Sequence, residues 1–364
     1  MGTYSKLKIG VACGGTGGHV LPGLATATLL KERGHDVALW LAGRDIENNI
    51  IKKWDGVKIL IPGSGFRRFL SLDFLLFWGG FIRSFVKAFN IMKSCDYNVF
   101  LAMGSYASAG PVMAAKVLKI PVIFHEANVI PGRALYFLSW AATAVAVSFQ
   151  QTANLFKHRN IVHTGYPLRK SIVKIASSMI SDNTRPFTIM VVGGSQGATF
   201  LNHVVTESLC KLQETKADFR VIHLTGSYDY EYVQTKYKSC GVKSTVYCFL
   251  NEIETAYKEA DFVISRAGAG SCFEIMYFGI PALLIPYPYA SRNHQLANAM
   301  TMKQIGGFEV IEQKELSVEK LKLYLQDVMT NKQKLDTMKF KLKNITKIDG
   351  TPNLADLVER LAQT

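Results

Sequence analysis

Acidic residues are scarce in this chain: 28 Asp and Glu stand against 42 Lys and Arg, a formal net charge of +14 over 364 residues. Such an excess favours anionic partners, whether nucleic acid, an anionic membrane face or phosphorylated substrates. The cations are dispersed and no nucleic-acid-binding motif occurs, so no nucleic-acid partner is expected. Paired cysteines are missing as well. Cys13, Cys95, Cys210, Cys240, Cys248 and Cys272 include no C-x-x-C, and no Cys/His cluster has zinc spacing. Reduced thiols and no bound metal are expected. The opening MGTYSKLKIGVACGG carries one short apolar run, Ile9–Cys13, without the length or cleavage site of a signal peptide. Membrane-length apolar runs are wanting too. The uncharged stretches Tyr97–Ala115 and Ala134–Phe156 are interrupted, the first by Gly104, Gly110 and Pro111, the second by Gln150, Gln151 and Asn154. A span needs about 20 strongly apolar residues, so both read as buried strand–loop–helix units.

What is present is an alternation of β-rich and helical runs. LKIGVAC (7–13) reads as a buried strand, Leu21–Arg33 as a helix ended by Gly34, and DVALWLA (36–42) as a second strand. Further strands are expected at Lys58–Ile61, Asn98–Ala102, Pro121–His125 and Ala144–Val147. Unbroken Val/Ile/Leu runs separated by helices indicate parallel sheets covered on both faces. The pattern restarts at RPFTIMVVGGSQGATFLN (185–202), followed by FRVIHLTG, STVYCFL, DFVISRAG and PALLIPY. With 48% apolar residues the chain exceeds one comfortable core, and two α/β domains are expected. The expected boundaries are 1–166 and 167–350, with a helix at 351–364 packing back on the first domain; the joint lies in the polar, proline-bounded 164–186.

Each half opens with a strand, a glycine turn and a helix start: GGTGGH (14–19) and GGSQGA (193–198). A glycine turn lets backbone N–H groups approach an anion, and the helix N-terminus adds roughly half a positive charge. Neither turn is a dinucleotide fingerprint. Counted from Gly15, the third glycine of G-x-G-x-x-G would fall on Val20, and LWLAGRD has Gly43 and Arg44 before its first acid, Asp45. No G-x-x-x-x-G-K-[ST] occurs, which argues against a P-loop ATPase. Open α/β sheets bind ligands beyond the carboxyl ends of their strands. MGSYAS, HEAN, CFLNEI, SRAGAGSCFE and PYPYASRNHQ all fall at such ends.

GGTGGHVLPGLA, HEAN, VVGGSQGA and HQLANA, in this order, resemble the MurG family of peptidoglycan N-acetylglucosaminyltransferases. The resemblance runs from Lys8 to the last helix. It implies the α/β GT-B fold, two Rossmann-like parallel-sheet domains facing a central cleft. It implies an inverting β(1→4) transfer of GlcNAc from UDP-GlcNAc to the MurNAc C4 hydroxyl of undecaprenyl-pyrophosphoryl-MurNAc-pentapeptide (lipid I), giving lipid II. The donor would sit mainly on the second domain and the acceptor on the first.

On this resemblance His19, Glu126 and Asn128 are the candidate catalytic residues. Imidazole titrates near neutrality and can accept the proton of the attacking hydroxyl; the alternative role of His19 is to bind the acceptor pyrophosphate. Glu126 is a second candidate base or an orienter of His19, and Asn128 can bond sugar hydroxyls. Gly14, Gly15, Thr16, His19 and Tyr106 are matched to the acceptor, and Thr16, Gly17 and Gly18 also border the donor sugar. The donor set continues with Arg169, whose fork suits the charge growing on departing UDP, and with Ser195, Gln196 and Gly197 for phosphate. Leu250 and Ile253 are matched to the uracil edge, with Phe249 read as core. Ala269, Gly270, Ser271, Cys272 and Phe273 form a helix start facing the α-phosphate, Glu274 accepts from the ribose, and His294 and Gln295 read GlcNAc hydroxyls. Tyr166 replaces an amide usual in GNP, and Ala267 stands where the family often has Ser or Thr. No cofactor or metal is expected; helix N–H groups and Arg169 would assist UDP departure.

GFRRFLSLDFLLFWGGFIRSFVKAFNIMK (65–93) is apolar yet dotted with Arg67, Arg68, Arg83 and Lys87. Phe74, Phe77, Trp78, Phe81 and Phe85 fall at spacings of three and four. With a lipid-linked acceptor, this face is expected to lie peripherally on the anionic cytoplasmic face of a bacterial inner membrane, near other cell-wall synthesis proteins. Two readings compete: a GT-B enzyme acting on another lipid such as diacylglycerol, and a non-catalytic sugar-nucleotide-binding protein.

Overall fold

Unbroken apolar runs make strands here because both sheet faces are covered by helices. The computed structural model describes residues 5–61, 72–178, 185–193, 198–345 and 347–363. The first half runs β1 (Lys8–Ala12), α1 (Gly17–Glu32), β2 (Asp36–Leu41), α2 (Asp45–Ile50), β3 (Val57–Leu60), α3 (Leu72–Cys95), β4 (Val99–Ala102), α4 (Ala109–Val117), β5 (Val122–Glu126), α5 (Arg133–Leu138), β6 (Ala144–Val147) and β7 (Ile161–His163). The second runs α6 (Lys170–Ser177), β8 (Phe187–Val192), α7 (Thr199–Gln213), β9 (Phe219–Leu224), α8 (Tyr230–Ser239), β10 (Lys243–Tyr247), α9 (Ile253–Glu259), β11 (Phe262–Ser265), α10 (Ala269–Phe278), β12 (Ala282–Leu284), α11 (His294–Ile305), β13 (Phe308–Val310), α12 (Val318–Thr330) and α13 (Lys332–Lys343). A last helix, α14 (Gly350–Leu361), follows.

Two units result, Met1–Lys170 with Ile348–Thr364, and Ser171–Lys347. Each holds one sheet, ordered β3-β2-β1-β4-β5-β6-β7 in the first and β10-β9-β8-β11-β12-β13 in the second, and every strand pair is parallel. This is the doubly wound order, with the strand sequence reversing between β1 and β4 and between β8 and β11. Ligand crevices of such sheets open at those reversals.

One face of the first sheet packs Ile9, Val11, Leu39 and Leu101 against α1 and α14. The other carries Trp40, which meets Phe100 edge-on at 5.4 Å and Tyr97 at 5.8 Å. Gly10 lies under the Phe100 ring, where any Cβ would collide. α14 is capped by Asp349, which accepts the Thr351 N–H at 2.9 Å and the Leu168 N–H at 3.2 Å. Gly350 crosses Gly165 so closely that a Cβ would strike the Gly165 carbonyl. Buried Glu359 pairs with Arg33 at 2.6 Å and His35 at 2.8 Å, fastening α14 to the end of α1. Tyr166 is buried, edge-on to His125 at 6.4 Å, so the aromatic replacing the amide packs within the first unit.

Three expectations are corrected. α1 begins at Gly17, not Leu21, because tertiary packing overrides the poor helix propensity of two glycines; Gly17 and Val20 are buried, and Gly23 presses on Cys13 where no Cβ fits. The thiols are not all reduced: Cys210 and Cys240 are joined, with sulfurs 2.10 Å and Cα atoms 5.5 Å apart, because α7 packs on α8. The three-residue edge strands β7 and β13 were not expected. No helix among the described residues is long and apolar enough to cross a membrane. Tyr97–Ala115 forms β4 and α4, and Ala134–Phe156 spans α5 and β6.

Candidate active site

In the first unit, the reversal between β1 and β4 is bridged by Ser105, whose Oγ donates to the Gly14 carbonyl at 2.6 Å. Ser105 holds φ 75°, ψ 154° and Gly104 φ 91°, a costly backbone for serine. His19 occupies the first turn of α1, half-buried, with Nδ1 3.3 Å from Thr16 Oγ1. A Cβ on Gly104 would come within 3.3 Å of His19 Nε2, and one on Gly15 within 3.4 Å of its Nδ1. Both glycines thus leave room for the imidazole. Tyr106, on the same β4 loop, is 40% exposed.

The glycine turn rests on a residue that sequence reading passed over. Glu47 is wholly buried; its Oε1 accepts the Gly15 N–H at 2.6 Å, and its Oε2 accepts those of Gly43 at 2.8 Å and Arg44 at 3.2 Å. The Gly15 N–H is therefore already committed inside the protein. LAGRDIE reads as strand end and helix start, and nothing local in it points to Gly15, 32 residues away.

Glu126 closes β5 and uses both oxygens on its own loop. Oε1 accepts from the Asn128 N–H at 2.9 Å and Nδ2 at 3.1 Å, and Oε2 from the Gly132 N–H at 2.8 Å. Burial holds its carboxyl above the usual range despite these bonds. Asn128 is thereby placed by Glu126, and its carbonyl accepts from Thr152 Oγ1 at 3.1 Å. His125 is buried, with Nε2 3.1 Å from Ser148 Oγ; burial pushes its imidazole down to about 4.

In the second unit the described candidates line the carboxyl ends of β10, β11 and β12. Ser195, Gln196 and Gly197 lie outside the described residues. α10 starts after Gly268 with no acid in its first turn, which leaves the N–H groups of Ala269, Gly270 and Ser271 at its positive end. Cys272 and Phe273 are buried, and burial raises the Cys272 thiol to about 12. Glu274 is buried in the same helix, and Ala267 is sealed from solvent, its carbonyl accepting from Asn298 Nδ2 at 3.1 Å. Leu250 is half-buried and Ile253 begins α9. Phe249, read as core, is 51% exposed, because β10 ends at Tyr247. His294 and Gln295 open α11: His294 Nδ1 lies 2.8 Å from the Ser291 carbonyl, and Gln295 Oε1 accepts the Tyr287 N–H at 2.9 Å. Arg292 and Asn293 before them sit at φ 53° and 54°. Arg169 is half-buried at the end of the first unit.

Among the described residues no three His, Cys, Asp or Glu side chains converge as a metal site. Of the membrane candidates, Arg67 and Arg68, and the side chains of Phe74 and Phe77, lie outside the described residues. The outward apolar stripe of α3 is Trp78, Ile82 and Val86, at 46, 55 and 48% exposure, beside exposed Arg83 and Lys87. Phe81 is half-buried and meets Trp78 edge-on; Phe85, expected outward, stacks on Phe89 against the core, since α4 covers that side of α3. Phe137 and Trp140 near α5 are also exposed, 71 and 63%, and were not singled out in the sequence.

The glycosyltransferase family 28 N-terminal domain matches residues 9–147 and the family 28 C-terminal domain residues 188–354. The crystal structure of MurG from Acinetobacter baumannii superposes with a TM-score of 0.78 at 26% identity, covering 98% of this chain and 100% of that one. A putative UDP-N-acetylglucosamine 2-epimerase from Listeria monocytogenes, 12% identical with a TM-score of 0.71, shares the fold alone. Fold and site thus define a glycosyltransferase of the GT-B class. The UDP-N-acetylglucosamine–N-acetylmuramyl-(pentapeptide) pyrophosphoryl-undecaprenol N-acetylglucosamine transferase of Geobacter metallireducens is 33% identical over 96% of this chain and 97% of its own length. That of Psychromonas ingrahamii is 33% identical over 98% and 99%. The chain belongs to this transferase family, the MurG family.

Proposed function

We propose that this chain transfers GlcNAc from UDP-GlcNAc to the MurNAc C4 hydroxyl of lipid I, giving lipid II. The full-length identity to transferases of that name carries the reading. His19 is assigned as general base: it takes the hydroxyl proton as the oxygen bonds the anomeric carbon, and the bond to UDP breaks on the opposite face. Its place in the first turn of α1, with room left by Gly15 and Gly104, supports this role. Glu126, with both oxygens engaged, is assigned to holding Asn128 rather than to proton transfer. Lipid I is assigned to the first unit, through Gly14, Thr16, His19 and Tyr106.

UDP-GlcNAc is assigned to the second unit. The diphosphate meets the acid-free start of α10, Glu274 accepts from the ribose, Leu250 and Ile253 border the uracil, and Gln295 faces the sugar. Departure of UDP is assisted by helix N–H groups and Arg169, without a metal ion. The Trp78–Ile82–Val86 stripe with Arg83 and Lys87 is assigned to peripheral contact with an anionic membrane. Incubating purified chain with labelled UDP-GlcNAc and a lipid I analogue tests the reading: a labelled disaccharide product is expected. Transfer to diacylglycerol but not to the analogue, or binding without transfer, would replace it.

A further inference from the structure

Arg266 follows β11 directly and is only 6% exposed. Its Nη1 donates to the carbonyls of Ile285 at 3.2 Å and Pro286 at 3.4 Å, and its Nη2 to Gln313 Oε1 at 2.8 Å. The Tyr287 ring lies 5.6 Å from the guanidinium carbon, and Nε is buried without a bond. Every one of these acceptors is uncharged, and no carboxylate among the described residues pairs with the group. Burial lowers its pKa to about 10, so it remains cationic at neutral pH. A buried cation without an acid is costly, and its cost is met here by main-chain carbonyls and one amide.

Those carbonyls form the root of the 287–293 loop. From that root the Tyr287 N–H donates to Gln295 Oε1, at the far end of the same loop. The bond fixes the carboxamide: a backbone donor must meet the oxygen, so the NH₂ end is what Gln295 turns away from the loop. Between the two anchors Arg292 and Asn293 hold left-handed backbone angles, which persist only where the surroundings over-determine them.

We propose that Arg266 is a positioning residue for the donor sugar: it fixes the root of the 287–293 loop and, through the Tyr287 N–H, the orientation of the Gln295 carboxamide, so that discrimination between sugar epimers depends on it. This rests on the reading that Gln295 faces the sugar of UDP-GlcNAc. The test measures kcat/KM for UDP-GlcNAc and for UDP-GalNAc, and the inhibition constant of UDP, in Arg266→Met, Arg266→Lys, Gln313→Leu and Gln295→Ala. Arg266→Met is expected to raise KM for UDP-GlcNAc about tenfold and to erode the GlcNAc/GalNAc preference about as much, with the UDP constant unmoved. Arg266→Lys restores part of the preference, and Gln313→Leu gives a weaker version of the Met phenotype. If Arg266→Met does not fold, the Lys and Leu variants carry the test. A UDP constant that rises with KM would overturn the proposal, since the charge would then act on the diphosphate. So would an unchanged preference in the Arg266 and Gln313 variants while Gln295→Ala loses it. A preference unchanged in Gln295→Ala as well would overturn the underlying assignment with it.

Discussion

Two sheets of the same winding tie their ligand-edge loops with groups of opposite charge, Glu47 and Glu126 in one and Arg266 in the other. In the first unit the buried groups are carboxylates, Glu47 and Glu126, each gathering loop N–H groups to itself. In the second, carboxylates are buried too, Glu274 in α10 among them, but the group that ties the 287–293 loop is the guanidinium of Arg266, gathering carbonyls. An internal acid consumes backbone donors, as Glu47 takes the Gly15 N–H; an internal cation consumes carbonyls, and the N–H groups at the start of α10 meet no acid in that helix's first turn. The proposed function divides the labour between these two sheets of shared topology. On the proposed assignment the first edge, shaped around an imidazole, takes the hydroxyl nucleophile and the second takes the nucleotide diphosphate.

The comparison can be broken at several points. The largest expected effect is that of His19→Ala, which should lower kcat about 100- to 10,000-fold while leaving UDP-GlcNAc affinity intact by calorimetry; a parallel loss of donor affinity would dissolve the division. Next, Glu274→Gln should weaken UDP-GlcNAc binding roughly 10- to 100-fold and spare the lipid I analogue, read in the same titrations. Glu47→Gln places an NH₂ against backbone donors and should destabilise the first unit by about 1–3 kcal/mol. All four tryptophans, Trp40, Trp54, Trp78 and Trp140, belong to that unit. Their fluorescence should therefore report an earlier melt, while hydrogen exchange in the second unit stays unchanged.

Acid sharpens the contrast further. His125 titrates near 4 and His223, buried against Asn202 and Tyr237, near 3, against an ordinary 6.5. Below 6.5 the unfolded chain takes up these protons and the folded chain does not, so stability falls with pH, by up to about 1.4 kcal/mol per pH unit and histidine. Glu126, raised by burial, works the other way: it takes up its proton earlier in the folded state, which favours folding as pH drops through its raised value. The second unit should have the steeper acid slope, and His223→Gln should flatten it, followed by hydrogen exchange between pH 6.5 and 4. Smallest of all, Trp78→Ser with Ile82→Ser should weaken binding to anionic vesicles in flotation assays, with little change in transfer to a detergent-soluble acceptor.

What was legible in the sequence follows from locality. The long Val/Ile/Leu runs announced β1, β2, β8 and β9, and the glycine turns announced the opening of each half, because each signal lies within a few residues. β7 and β13, three residues each at the sheet edges, carry no pattern long enough to read. The start of α1 was hidden by the low propensity of Gly17 and Gly18, which tertiary packing overrides. Phe85 was read on the outward face and Ile82 was not, because spacing alone cannot say which side of α3 meets α4. The supporting groups were least visible: Glu47 reaches Gly15 across 32 residues and Arg266 reaches Gln313 across 47. Residues that would meet a ligand sit in recognisable loops. Residues that hold those loops are named only by the fold.

α14 lies on the first sheet although the whole second unit precedes it in the chain. Leu354, Ala355, Val358 and Leu361 fill a core begun by Ile9, Val11 and Leu39. During synthesis the first unit must therefore wait, with an apolar flank uncovered, until every residue of the second has emerged from the ribosome. Closure of the first unit's core in this sense comes after synthesis of the second unit, and a nascent chain stalled before Ile348 would present that flank to chaperones and proteases.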